Sequence, residues 1–230
     1  MIETHAGMAS MIASKTIARL SLYRRAVHEL LGEGREYVYS HEIAGLCGLT
    51  AAQVRRDLMP TGFTGSPNKG YSVAGLLQSI GRLLDDPEEE RVALVGVGNM
   101  GRAILAYFTG RRPNLSIVAA FDQDPAQVKR VIQGCRCHPM EELEGVVRER
   151  GVKVAILAVP AKSAQSIAEQ LVSAGVRGIL NFAPISLRLP PEVYVEYLDV
   201  AISLERVAYF ARHGTGRRKT ERTGQWRAWT

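Results

Sequence analysis

Three glycines, at positions 96, 98 and 101, have a spacing that suits a phosphate ligand. They follow an apolar, β-branched segment at residues 91–95 and precede an amphipathic segment that runs to residue 108. Such glycines permit a tight strand-to-helix turn, close backbone approach to a pyrophosphate and close packing of the helix on the strand. The unpaired N–H groups of the helix N-terminus favour an anion. The motif therefore predicts a dinucleotide site rather than an ordinary glycine-rich turn.

Asp122 supplies an acid at the end of the next apolar strand, residues 117–121. A carboxylate there accepts hydrogen bonds from an adenosine ribose and repels a 2′-phosphate. The predicted cofactor is therefore NADH/NAD+ and not NADP(H).

The segments at residues 158–161 and 181–184 each follow an apolar strand and contain a proline. Their place at strand ends favours ligand contact, although proline alone is also typical of a loop. The cofactor-binding residues predicted from the motif and the strand ends are Gly96, Gly98, Asn99, Met100, Gly101, Asp122, Ala158, Val159, Pro160, Asn181, Phe182, Ala183 and Pro184.

Residues 91–202 alternate between strand-like and helix-like segments, which predicts an α/β fold with a doubly wound parallel sheet, a Rossmann domain. After Asp122 the pattern predicts helices at 124–133, 141–150 and 162–174 and strands at 136–138, 154–158, 178–181 and 193–197. The ligand of such a sheet lies at the carboxyl ends of its strands.

Residues 14–84 predict a smaller helical domain, separated from the sheet by a charged linker with a proline at residues 85–90. Within it, a helix with Ser40 as its N-cap, a glycine turn and a second helix capped by Thr50 form a helix-turn-helix. A returning strand at 69–73 makes the arrangement a winged helix. Gln53, Arg55 and Arg56 are predicted to contact DNA, as opposed to a plain dimerisation or lid domain.

Charge is distributed unevenly along this chain of net charge +6. Residues 14–84 carry +4 and residues 212–230 carry +5, whereas residues 85–211 carry −2. A basic N-terminal domain indicates a polyanion partner. The basic tail, residues 212–230, is typical of a disordered, solubilising end.

Several classes of protein are disfavoured. No run of 18 apolar residues occurs and residues 1–13 lack a signal-peptide pattern, so we expect a soluble, cytoplasmic protein with no membrane partner. Cys135 and Cys137 are more typical of an alternating strand than of a metal site, so no metal is expected. No catalytic residue is predicted, because His138, the one histidine in residues 91–202, falls on the third strand and away from a nicotinamide.

Most of the chain, from about residue 16 to residue 210, resembles the Rex family of redox-sensing transcriptional repressors. The matching motifs are RLSLYRR at 19–25, TAAQVRRDL at 50–58, GVGNMG at 96–101, AILAVP at 155–160 and GILNFAP at 178–184. The resemblance implies a homodimer that binds operator DNA when NADH is scarce and releases it when NADH rises.

The resemblance also implies roles for particular residues. A helix at residues 203–211 would be exchanged between subunits. Asp199 would pair with Arg25 in a switch between the domains, and Tyr107 would lie near the nicotinamide.

The wing departs from the family pattern. The family usually has an Arg-Gly pair before the Gly-Tyr at 70–71, but this chain has no arginine there and Lys69 is the nearest cation, so Lys69 joins the predicted DNA-binding residues. Two alternatives stay open, the first of them because of this wing. One is a Rex-like paralogue that binds NAD(H) as a dimer but has altered or lost operator recognition, and the other is a small NAD-dependent oxidoreductase.

Overall fold

A computed structural model of the chain describes residues 12–85, 87–108 and 115–214. These residues fall into two compact units, one that ends at Asp85 and one that follows it. Most of the basic tail, from residue 215 on, lies outside the described residues. Over the described ranges no helix has both the length and the apolar content needed to cross a membrane.

The first unit is a winged helix. Its elements are α1 (Ser14–Gly32), β1 (Tyr37–Val38), α2 (Ser40–Cys47), α3 (Ala51–Leu58), β2 (Tyr71–Ser72) and α4 (Val73–Leu84). The apolar side chains that recur at helical spacing along α1 pack with those of α2, α3 and α4 in one core. Burial of these side chains stabilises the unit. β1 and β2 pair antiparallel, with Tyr37 opposite Ser72, and the wing is the segment at residues 62–70 that leads into β2.

The helix-turn-helix follows from local sequence signals. Gly48 ends α2 in the left-handed region, at a φ of 66°, which glycine adopts at least cost. Thr50 then caps α3, since its hydroxyl accepts a hydrogen bond from the Gln53 backbone N–H at 3.2 Å. The prediction that Ser40 caps α2 is wrong: Ser40 is the first helical residue, and Tyr39 precedes it and donates its backbone N–H to Glu42 at 2.8 Å.

The second unit is a parallel sheet flanked by helices. Its elements are β3 (Glu90–Val95), α5 (Asn99–Phe108), β4 (Leu115–Asp122), β5 (Val131–Ile132), β6 (Cys135–Pro139), α6 (Leu143–Glu149), β7 (Val154–Leu157), α7 (Ala161–Ser173), β8 (Gly178–Asn181), β9 (Tyr194–Tyr197) and α8 (Val200–His213). The strand order is β5-β6-β4-β3-β7-β8-β9, and every pair except β5 with β6 is parallel.

This order confirms the doubly wound prediction. From β6 to β9 the order is that of a dinucleotide-binding sheet, in which the direction of winding reverses between β3 and β7. Buried clusters lie on the two faces of the sheet, and Phe121 on β4 belongs to one while Ala120 belongs to the other. A ligand crevice is therefore expected where β3 and β7 end.

The predicted helix at 124–133 is wrong. That segment forms turns and then β5, which pairs with β6 through a two-residue turn. Gln133 and Gly134 have φ of 49° and 80°, the positive values that a tight hairpin turn needs. The hairpin adds β5 as an edge strand beyond the expected sheet.

The last described helix, α8, begins at Val200, three residues before the predicted start of the exchanged helix. Asp199 sets this boundary, because its Oδ1 accepts the Ile202 backbone N–H at 3.0 Å. Every residue of α8 is exposed, including Leu204, Val207 and Phe210.

Candidate nucleotide site and DNA-binding surface

A cavity of about 390 Å³ lies at the carboxyl ends of β3, β4 and β7. Its position is the winding reversal, where open α/β sheets bind their ligands. Eight of the predicted cofactor-binding residues line it: Gly96, Gly98, Asn99, Met100, Asp122, Ala158, Val159 and Pro160.

Each of the three motif glycines has a distinct geometry. Gly96 has a φ of 94°, and a Cβ there would collide with the carbonyl oxygen of Ala158. A Cβ at Gly101 would collide with the carbonyl of Gly96, so glycine lets the first turn of α5 lie close to the end of β3. Gly98 has nothing within 4 Å of an added Cβ, which leaves open space at the helix N-terminus. That space and the N–H groups of the first turn of α5 fit a pyrophosphate.

Asp122 stands half-buried beside this turn. Its Oδ2 accepts the Val97 backbone N–H at 2.6 Å, and its Oδ1 accepts the Asp124 N–H at 2.9 Å. The carboxylate thereby joins the end of β4 to the glycine turn after β3. Each carboxylate oxygen has a further lone pair, so Asp122 can also accept ribose hydroxyls.

The remaining predicted cofactor residues lie elsewhere in the second unit. Asn181, Ala183 and Pro184 line a separate cavity of about 250 Å³. Asn181 is buried, and its amide nitrogen donates to the carbonyls of Ala183 and Ile185 at 3.1 Å, so it holds the loop after β8. Phe182 packs against the core, and Tyr107 on α5 is half-exposed with its ring edge-on to Phe108.

Five further residues line the larger cavity that the sequence prediction did not include: Val95, Gln123, Met140, Ser163 and Ile167. Two signals could have identified most of them. Gln123 and Met140 directly follow strands β4 and β6, and Ser163 and Ile167 lie four residues apart on α7, so they share one face of that helix.

The predicted DNA-binding residues of α3 differ in how exposed they are. Arg55 and Arg56 are exposed, and Arg55 Nη1 donates to the Ser40 hydroxyl at 3.0 Å. Gln53 is only half-exposed, and its amide nitrogen donates to Asp57 at 2.8 Å. The two arginines therefore offer free guanidinium edges to phosphate or base, whereas Gln53 is held by a neighbour.

The wing is a tight hairpin in which Ser66 and Gly70 exchange backbone hydrogen bonds at 2.7 and 2.8 Å. Tyr39 donates its hydroxyl to the Asn68 carbonyl at 2.7 Å and so ties the wing to the start of α2. Lys69 is exposed, with its ammonium 5.4 Å from the centre of the Tyr37 ring. The wing thus presents a cation beside an aromatic ring.

A buried carboxylate connects α3 to α1. Asp57 is 2% exposed and accepts Arg19 Nε at 2.6 Å and Arg19 Nη2 at 2.7 Å. Tyr23 adds a hydrogen bond at 2.8 Å from its hydroxyl. Burial raises the pKa of Asp57, but the hydrogen bonds from Arg19, Tyr23 and Gln53 outweigh it, so the pKa lies below its usual value. Asp57 is therefore ionised and fully paired at neutral pH.

The two residues of the predicted switch lie in different units. Arg25 is exposed on α1, and Asp199 caps α8. Their pairing stays a prediction.

The cysteines behave as core residues. Cys135 and Cys137 are buried on β6 while Arg136 between them is exposed, which confirms the predicted alternating strand. Burial raises the pKa of the Cys135 thiol to about 11. Among the described residues no group of three or more His, Cys, Asp or Glu side chains is placed to hold a metal ion.

Comparison with known proteins matches each unit. The family model described as "CoA binding domain" covers residues 87–185, and the one described as "Putative DNA-binding protein N-terminus" covers residues 11–58. The redox-sensing transcriptional repressor Rex of Roseiflexus sp. is 42% identical over 84% of this chain and 88% of its own length. The Rex repressor of Syntrophobacter fumaroxidans is 40% identical over 89% of this chain and 98% of its own.

Solved structures give the same result. RSP in complex with β-NAD+ and operator DNA superposes with a TM-score of 0.82 at 30% identity, and covers 88% of this chain and 94% of that one. RSP in complex with β-NADH gives a TM-score of 0.78 at 30% identity over 88% and 95% of the two chains. With relatives this similar along most of its length, the chain belongs to the Rex family of redox-sensing transcriptional repressors.

Proposed function

We propose that this protein is a transcriptional repressor that binds operator DNA and releases it when NADH accumulates. The observation that carries the proposal is the presence, in one chain, of a helix-turn-helix with exposed arginines and a dinucleotide cavity at the winding reversal of a Rossmann sheet. Relatives of the same family form complexes with NAD+ and operator DNA and with NADH.

The cofactor is NADH/NAD+. The N-terminus of α5 and the open space at Gly98 would hold the pyrophosphate, and Asp122 would hold the adenosine ribose. Val159 and Pro160 also line the cavity and would contact the nicotinamide half, together with the loop at 181–184 and Tyr107.

The DNA contacts are divided between two parts of the first unit. Arg55 and Arg56, which lie in the last turn of α3, would contact the major groove. Lys69 on the wing would contact the backbone or the minor groove in place of the family's arginine. Cations on phosphates make binding depend steeply on salt.

The protein acts as a homodimer in this proposal, with α8 exchanged between subunits. The support is the exposed apolar surface of α8: Val200, Leu204 and Val207 are each 63–66% exposed. A continuous apolar surface of this kind is typical of an interface. A second copy of the same helix surface suits a symmetric dimer.

Binding without catalysis is the simpler account of the cavity. Of the residues that the structure describes around it, none is a histidine, lysine, tyrosine or cysteine, and Asp122 is the one ionisable group. His138 is instead buried, with Nδ1 2.8 Å from Glu142 Oε2. A hydride-transfer enzyme needs a proton donor or acceptor beside the nicotinamide.

Selection of bound duplexes from a random DNA pool, with and without NADH, tests the proposal. We expect enrichment of a two-fold symmetric sequence without NADH and its loss when NADH is added. Enrichment that ignores NADH, or none, would contradict the proposed function. A selected sequence unlike that of other Rex repressors would instead identify altered operator recognition by the wing.

A further inference from the structure

The hydrogen bond between Gln53 and Asp57 has a direction that the chemistry of the carboxylate determines. An ionised carboxylate only accepts hydrogen bonds, so the amide nitrogen of Gln53 must face Asp57. The three other hydrogen bonds to Asp57 come from donors as well, two from Arg19 and one from Tyr23. If the amide of Gln53 were flipped, its Oε1 would lie against an anionic oxygen at 2.8 Å with no proton between them.

The fixed amide leaves a defined edge for DNA. With one N–H committed to Asp57, the side chain of Gln53 retains Oε1 as an acceptor and one N–H as a donor. In the major groove adenine offers the N6 donor and the N7 acceptor, which match this pair, whereas guanine offers two acceptors. Gln53 is the third residue of α3, in the N-terminal part that contacts base edges in helix-turn-helix proteins.

We propose that Asp57 is a positioning residue that fixes the amide orientation of Gln53, so that Gln53 selects adenine and rejects guanine at one position of each half-site. This inference rests on the proposed function, because it requires α3 to lie in the major groove. Because Asp57 is buried, it is out of reach of DNA, and its effect on base preference would pass through Gln53.

The alternative is a purely structural bond. Glutamine and aspartate four residues apart stabilise a helix by themselves, without any role in recognition. The two accounts differ in one readout. A structural role lowers affinity for every duplex by the same factor, whereas a positioning role changes the preference among the four base pairs at one position.

The experiment uses the full-length protein without NADH and the duplex selected from the random pool, varied one base pair at a time. We expect the wild type to prefer adenine over guanine at one position by about tenfold or more. In Gln53→Met the ratio of the affinities for the adenine and guanine duplexes should fall below about twofold. Gln78 is an exposed glutamine on α4, and Gln78→Met should leave the ratio unchanged.

Asp57→Asn tests the orientation. The asparagine amide can donate or accept, so it permits both orientations of Gln53, and the adenine preference should fall at least fivefold at that position alone. Asp85→Asn, which alters the other carboxylate paired with an arginine of α1, should leave the preference unchanged.

A measurement on the wild type keeps the test decisive if Asp57→Asn does not fold. In a ¹⁵N-glutamine-labelled sample, we expect one Nε2 proton of Gln53 to be protected from solvent exchange by its hydrogen bond to Asp57. Two equally exchanging protons would overturn the inference. So would wild-type binding with a guanine preference or with preferences that Gln53→Met does not change. No duplex binding at all would instead overturn the proposed function.

Discussion

Two aspartates, Asp57 in the winged helix and Asp122 in the sheet unit, each connect segments that are distant in sequence. They differ in whether they can accept further hydrogen bonds. Asp57 is 2% exposed and accepts four hydrogen bonds from side chains of α1 and α3. Asp122 is half-buried, accepts two backbone N–H groups and faces a cavity.

The difference shows two ways in which a carboxylate can serve a binding site. A saturated, buried carboxylate has no lone pair left for a ligand, so its effect is on stability and on the orientation of neighbours. A half-buried carboxylate with lone pairs available can bind a ligand directly. Substitutions at the two sites should therefore give opposite patterns of stability and affinity.

The largest expected effect is at Asp57. Asp57→Ala should lower the free energy of unfolding of the first unit by about 3–5 kcal/mol, because the Arg19 guanidinium and the Tyr23 hydroxyl lose their acceptor. Urea unfolding followed by circular dichroism measures it. Glu29→Ala, which removes an exposed carboxylate of α1 in the same unit, should change the free energy by less than about 0.5 kcal/mol. A loss for Asp57→Ala no larger than this control would contradict the role assigned to Asp57.

The same carboxylate predicts a pH dependence. Because its pKa is lowered in the folded state, Asp57 contributes stability at neutral pH that is lost as the pH falls below about 4, the ordinary aspartate value, towards the lower folded value. The Asp57→Asn variant should therefore lose less stability than the wild type on acidification through this range. Parallel stability curves for the two proteins would contradict the lowered pKa.

The next prediction compares the stability and the NADH affinity of variants at two glycines of the same motif. Gly96→Ala should lower the free energy of unfolding by about 1–3 kcal/mol or more, since its positive φ and the Ala158 carbonyl both exclude a Cβ. Gly98→Ala should leave stability within about 0.5 kcal/mol but weaken NADH binding, because its added methyl occupies only the ligand space. Thermal unfolding and NADH fluorescence titration measure the two effects. Equal losses of stability would contradict the different geometries of the two glycines.

Asp122→Ala should act on affinity more than on stability. Loss of the ribose hydrogen bonds is expected to weaken NADH binding about tenfold or more and to narrow the preference for NADH over NADPH. Calorimetry with both nucleotides checks this, with Asp124→Ala as the control. If the wild type binds NADPH as tightly as NADH, the role of Asp122 in selectivity is wrong.

The last of these effects concerns a single phosphate or base contact. Arg56→Ala should weaken DNA binding by about 1–3 kcal/mol if Arg56 contacts a base, or lower the salt slope by about one if it contacts a phosphate. Arg82→Ala removes another exposed charge, from α4, and serves as the control. Fluorescence anisotropy across a salt series measures both. Equal behaviour of the two variants would place α3 outside the interface.

The sequence predicts those features of the molecule that depend on residues close together in the chain. The glycine motif, the Thr50 cap and the order of strands follow from local periodicity and turn chemistry, and the structure has them. β6 lies where the sequence predicts a strand, but the predicted helix at 124–133 is replaced by turns and β5, because the Gln133-Gly134 turn is a weaker signal than the apolar spacing before it. The Arg19–Asp57 pair joins residues 38 positions apart, and nothing local to either residue indicates its partner.

The measurement that tests the redox-sensor account most directly is NADH titration of the full-length protein with and without the saturating selected duplex. Coupling between two sites is reciprocal, so DNA must weaken NADH binding by the factor by which NADH weakens DNA binding, typically 5- to 150-fold. We predict such a factor for NADH and a smaller one for NAD+, because a ligand with equal affinity for both states shifts nothing. Equal NADH affinity in the presence and absence of the duplex would contradict the account.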